Sequence, residues 1–162
     1  MKRIGVVGNG KLGSLLLQRI GFFPLECDVT DISSIYVALD KVKPDLIVNC
    51  SGISSIDECE KDYDKAIKVN VHGTRNLHKA FGAGVLSISS DHVFDGKSRN
   101  YKEDSKKLPI NNYGYTKLGM ESISHIWDGK VIRLSRTVSI EDGDISSYLM
   151  SLYKGEEINV PS

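Results

Sequence analysis

Short runs of consecutive apolar residues alternate with stretches of three- and four-residue apolar spacing along almost the whole chain. A parallel sheet with helices on both faces has this pattern. Residues 3–7 read as a first strand and residues 12–20 as the helix after it. Pro44 stops helical winding, and D-L-I-V-N-C at 45–50 then has the unbroken apolar character of a strand buried on both sides. Ala66, Val69, Gly73, Leu77, Ala80 and Phe81 recur at helical steps and predict a helix ending near Gly82 and Gly84. Residues 85–89 form the next predicted strand, 111–125 a helix, 131–134 a strand and 145–153 a last amphipathic helix. The predicted fold class is α/β, a doubly wound parallel sheet with helices on both faces.

The 162 residues suit one domain spanning 1–162 with a core of its own. Twenty-one basic residues balance 21 acidic ones, so no net field draws the chain toward nucleic acid or an acidic membrane surface. No apolar run approaches the roughly 20 residues of a membrane span. The expected partner is a small molecule or another protein. The opening M-K-R-I-G-V-V-G enters a strand without a secretion-signal core, and Cys27, Cys50 and Cys59 are odd in number with no C-x-x-C pair. Both features predict a cytoplasmic protein with reduced thiols. His72, His78, His92 and Asp91 lack metal-ligand spacing, so no metal is expected. The charged, turn-rich segment 95–109 is expected to be an exposed loop near a site.

Gly8-Asn9-Gly10-Lys11-Leu12-Gly13 is a G-x-G-x-x-G string set between an apolar strand and an amphipathic helix. Gly8 permits the tight turn, Gly10 lets backbone approach a pyrophosphate, and Gly13 lets helix and strand pack closely. The helix start adds free N–H groups and the positive end of the helix dipole. A Rossmann-like dinucleotide fold also presents an acidic residue about 20 positions on, for the ribose. Here residues 21–28 look compressed, and neither Glu26 nor Asp28 follows a convincing strand. Asp28 is the candidate to lie beside the adenine, with the choice between NAD and NADP left open.

Tyr113 and Lys117 stand four apart, on one face of a predicted helix. A phenol is a poor base at pH 7, and moving its pKa by about three units takes roughly 4 kcal/mol, which a nearby desolvated ammonium helps to provide. A lone Y-x-x-x-K match is what a shuffled chain would give, so position must supply the argument. The strand 85–89 ends in Ser89 and Ser90, at the carboxyl side where open α/β sheets bind ligands. Ser90 could donate to a substrate carbonyl oxygen as charge develops there, and Ser89 is expected beside the cofactor. His92 and Phe94 follow this turn, with pocket lining and ordinary packing both open to them.

Four ordered segments carry a resemblance: P-D-L-I-V-N-C-S-G at 44–52, K-V-N-V-H-G-T-R-N-L at 68–77, S-I-S-S-D-H-V-F-D-G at 87–96 and N-Y-G-Y-T-K-L-G-M-E at 112–121. Together they resemble the extended short-chain dehydrogenase/reductase family. The resemblance implies Ser90 as the residue orienting a carbonyl, Tyr113 as proton donor, and Lys117 as the residue that binds nicotinamide ribose and lowers the tyrosine pKa. It matches Cys50, Ser51 and Gly52 to a small-residue turn along the cofactor, and Asn70 to a helix asparagine that supports the site. The implied reaction is NAD- or NADP-dependent reduction of a nucleotide-linked 4-keto-6-deoxy sugar, with epimerase or dehydratase chemistry as a relative. A non-catalytic nucleotide-binding regulatory subunit is the alternative, and a homodimer is implied by analogy. The glycine turn is one residue shorter than the family's common form. Family members are also considerably longer, so most of a C-terminal substrate lobe is expected to be lacking from this sequence.

Overall fold

The computed structural model describes residues 2–135. Its elements are β1 (Ile4–Val7), α1 (Lys11–Leu16), β2 (Phe22–Pro24), α2 (Ile32–Val42), β3 (Leu46–Asn49), α3 (Ile56–Lys61), α4 (Tyr63–Ile67), α5 (Gly73–Phe81), β4 (Val85–Ser90), α6 (Asn112–Ile126) and β5 (Lys130–Leu134). A π-turn, Lys68–His72, joins α4 to α5, and one turn of 3-10 helix, Asp91–Val93, follows β4. The described strands form one parallel sheet in the order β2-β1-β3-β4-β5.

Strand side chains alternate between the faces, and two cores result. Ile4, Val6, Val48, Leu86 and Ile88 join Leu12 and Leu16 of α1 on one side. Val7, Ile47 and Val85 join Ile35 and Ala38 of α2 and Leu77 of α5 on the other. Ile47 and Leu77 are fully buried, which contributes roughly 1.5–3 kcal/mol each against exposure. Helix α6 packs on α5 and β4. The fold class is the expected one, Rossmann-like α/β with both sheet faces covered.

Three local expectations are corrected. The helix predicted over 12–20 stops at Leu16, because Ile20 lies 87% exposed and Gly21, at φ +89°, turns the chain into β2. The region that looks compressed in the sequence holds a complete unit. Phe22–Pro24 pair with Ile4–Val6, and Pro24 is tolerated because β2 is the outer strand of the described sheet. Helix α2 then starts where the Asp31 side chain accepts from Ser33 N, and it ends at Lys43, in left-handed backbone just before Pro44. The helix expected through Ala66–Phe81 is divided by the π-turn. The helix expected at 145–153 lies outside the described residues.

Candidate active site

Strand order reverses between β1 and β3, and the turns leaving β1, β3 and β4 all lie at the carboxyl edge, where open α/β sheets take ligands. Gly8 has φ +94°, and a Cβ there would come within 2.7 Å of the Cys50 carbonyl carbon and Ser51 N. A Cβ on Gly13 would collide with the Gly8 carbonyl oxygen, so the start of α1 is pressed against the turn. Gly10 differs: nothing lies within 4 Å of where its Cβ would be. The turn is thus closed by Gly8 and Gly13 on the protein side and open at Gly10. Asn9 and Lys11 are exposed, the Asn9 carbonyl accepts from Ser14 Oγ at 2.8 Å, and Leu12 packs on the core.

The β3 turn is held by two asparagines. Asn49 Oδ1 accepts from Ser51 N at 3.1 Å and Ser51 Oγ at 2.6 Å, while its Nδ2 donates to Thr74 Oγ1 on α5. Asn70, in the π-turn, accepts from Ile53 N at 2.7 Å and donates to Ile53 O and to Thr116 Oγ1 on α6. Gly52, at φ +138°, leaves room for that amide: a Cβ there would sit 2.8 Å from Asn70 Oδ1 and 3.9 Å from Lys117 Nζ. The Cys50 thiol is pushed up to about 12 by burial, against the pull of Lys117, so it packs as a neutral group.

Helix α6 begins where the Asn111 side chain accepts from Gly114 N, and Glu60 of α3 grips Asn112 through its backbone N (2.8 Å) and its side-chain amide (2.9 Å). Tyr113 is therefore fixed in the first turn, 9% exposed, packed with Cys59 and Ala66, and met edge-on by His92. One turn later the buried Lys117 Nζ lies 5.8 Å from the Tyr113 ring centroid and donates to Ile88 O at 2.9 Å. Ser90 Oγ donates to Asp91 Oδ1 and accepts from His92 N. It also acts on the phenol by a hydrogen bond that lowers the phenol pKa.

Burial outweighs that effect, and the Tyr113 phenol stands above its ordinary pKa. The expected lowering by Lys117 is not what the protein alone exhibits. Desolvation instead brings the lysine down to about 8. At neutral pH the group is a neutral phenol beside an ammonium.

The structure brings Ser90, Tyr113, Lys117, Gly52 and Asn70 together, and sets Gly8, Gly13, Cys50 and Ser51 against one another. Asp28 lies in the loop between β2 and α2, where its Oδ1 accepts from Thr30 N and Oγ1. Ser89 Oγ is turned inward and donates to Glu121. Phe94 is stacked on Tyr101 within the loop. Sequence reasoning missed Asn49, Thr116, Glu60 and Glu121. The one available signal was a polar residue inside an otherwise apolar buried strand, at Asn49. Among the described residues no group of His, Cys, Asp or Glu could hold a metal, and no helix is long and apolar enough to cross a membrane.

A glycine turn at the reversal point of a Rossmann-like sheet, with a hydroxyl, a phenol and an ammonium beside it, defines the class of fold and site. Over residues 4–159 the chain matches the RmlD substrate binding domain family, and it belongs to that family. It is 30% identical to dTDP-4-dehydrorhamnose reductase of Aggregatibacter actinomycetemcomitans over 159 residues, 94% of this chain and 52% of that protein. It is 32% identical over 115 residues to methionine adenosyltransferase 2 subunit beta of Danio rerio, 69% of this chain and 36% of that one. The crystal structure of dTDP-4-dehydrorhamnose reductase from Bacillus anthracis in complex with NADP superposes with a TM-score of 0.77 at 29% identity, covering 83% of this chain and 53% of that one. The chain spans about half the length of the two reductases.

Proposed function

We propose that residues 1–162 form the dinucleotide-binding domain of an NADP- or NAD-dependent reductase of the extended short-chain dehydrogenase/reductase type, acting on a nucleotide-linked 4-keto-6-deoxy sugar. The observation that carries this reading is the meeting of Ser90, Tyr113 and Lys117 at the carboxyl edge. The likeness to reductases, one of them holding NADP, supports the cofactor and the substrate class. The residues fit a dinucleotide: backbone at Gly10 is open to a pyrophosphate, and the Gly8 and Gly52 turns bring no side chain into that space.

A reduced nicotinamide supplies hydride when bound. Ser90, its O–H turned from Asp91 to the substrate, orients the carbonyl by donating to its oxygen. Tyr113, kept neutral by burial, gives that oxygen its proton. Lys117 then stabilises the phenolate left behind, since an ammonium in a desolvated site favours the charged oxygen. The likeness to a regulatory subunit favours a second reading, in which the same pocket binds nucleotide without turnover.

Titration with NADPH or NADH is expected to give saturable binding, read from nicotinamide fluorescence, and a dTDP-4-keto-6-deoxy sugar is expected to be reduced. Tyr113→Phe is expected to keep cofactor affinity and to lose turnover by about 100-fold or more. Binding without turnover is the outcome both of the regulatory reading and of a reductase assayed without its substrate lobe, and absence of binding at millimolar cofactor removes both readings.

A further inference from the structure

We infer that Glu121 is a positioning residue of this site: its buried carboxylate ties the Ser90 end of β4, strand β5 and the loop 95–109 to the helix that carries Tyr113 and Lys117. The inference rests on the reductase reading. Tyr113, Lys117 and Glu121 are spaced i, i+4 and i+8 along α6 and all buried, the last two bonded to β4.

Glu121 is fully buried, yet each of its oxygens is engaged. Oε1 accepts from Ser89 Oγ at 2.7 Å and Arg133 Nε at 2.7 Å, and Oε2 accepts from Arg133 Nη2 at 2.9 Å. Lys107 Nζ, in the loop, lies 3.6 Å from Oε2. The same guanidinium donates through Nη1 to the Glu103 carbonyl at 3.0 Å and covers the Phe94 ring at 5.2 Å. One carboxylate thus reaches the residue before Ser90, and through Arg133 and Lys107 it fastens the returning half of the loop at Glu103 and Lys107, with Phe94 held at the loop's start.

An ionised carboxylate only accepts, and it takes the planar fork of Arg133 by two parallel bonds, so the contact fixes orientation as well as distance. Buried ion pairs add little net stability over apolar packing of equal volume. What this one contributes is the relation between Ser90, the loop and α6.

The test uses the full chain with three readouts: hydrogen exchange over residues 95–109, NADPH affinity, and kcat and KM measured separately on the keto sugar nucleotide. Glu121→Gln keeps the shape but gives Arg133 an amide in place of a charge. It is expected to raise exchange in the loop about tenfold, to lower kcat about tenfold, and to leave NADPH affinity within about twofold.

Because Glu121→Gln leaves a partly buried guanidinium poorly paired, the double variant Glu121→Met/Arg133→Met serves as the control for folding. It is expected to melt near the unaltered temperature and still to show the fast-exchanging loop and the low kcat. Unaltered loop protection in either folded variant, or full kcat in the double variant, overturns the inference. If the unaltered chain fails to bind NADPH the reductase reading falls, and where it binds without turning over, or does not bind, loop protection alone decides whether Glu121 is the tether.

Discussion

Burial of the Lys117 ammonium lowers its pKa from 10.5 to about 8, which corresponds to about 3 kcal/mol held against folding at neutral pH. The unfolded chain binds the proton more tightly, so this cost is complete below pH 8 and fades as the pH rises toward 10.5. Lys117→Met is therefore expected to raise the melting temperature by several degrees at pH 7, with the gain vanishing near pH 10.5, while the reaction is lost. A variant no more stable than the parent at pH 7 would refute this cost. At this scale Ser90, Tyr113 and Lys117 were legible because each sits at a strand end or in a spaced pair. The distant partners of Asn49, Asn70 and Glu121 were not, since the fold brings them in from other elements; Asn70 and Thr116 lie 46 positions apart.

The turn from β1 into α1 is an element built around two different demands on glycine. Gly13→Ala places a methyl against the Gly8 carbonyl and is expected to cost at least 1–3 kcal/mol, roughly the range for overpacking, read as a drop in melting temperature. Gly10→Ala, with open space before it, is expected to leave melting unchanged and to weaken dinucleotide binding; a matching loss of stability at Gly10 would contradict the open cradle. Strands β1, β3 and β4 and helix α6 were readable from apolar runs and spacing. β2 and α2 were harder: a three-residue strand carries little periodicity, and the Asp31 cap with Ile35 and Ala38 was a signal present but faint.

Across the whole molecule, His78 bolts α5 to α6 and the sheet. Its Nδ1 donates to Gly82 O at 2.9 Å, and its Nε2 lies 3.3 Å from Ser124 Oγ, itself 3.0 Å from Ser87 Oγ on β4. Burial keeps the imidazole neutral by lowering its pKa below 6.5. The unfolded chain takes up a proton first as the pH falls, so this stability is present above pH 6.5 and drains away below it. Urea midpoints are expected to fall between pH 7.5 and 5.5, and His78→Gln to flatten that slope; an unchanged slope would place the acid sensitivity elsewhere. The overall architecture was legible because a sheet covered on both faces writes itself as continuous apolar strands. The tie across α5, α6 and β4 was not, because a buried histidine leaves no period of its own.

The π-turn at Lys68–His72 has a consequence for how this segment can change over time. One additional residue in a turn offsets the two flanking helices by about 100°. Ala66 can then meet Tyr113 while Leu77 still reaches the sheet, with Asn70 between them aimed at α6. Removing a single codon here would swing one of these contacts into the wrong quadrant, so the length of the stretch is as tightly set as the identity of Asn70 within it.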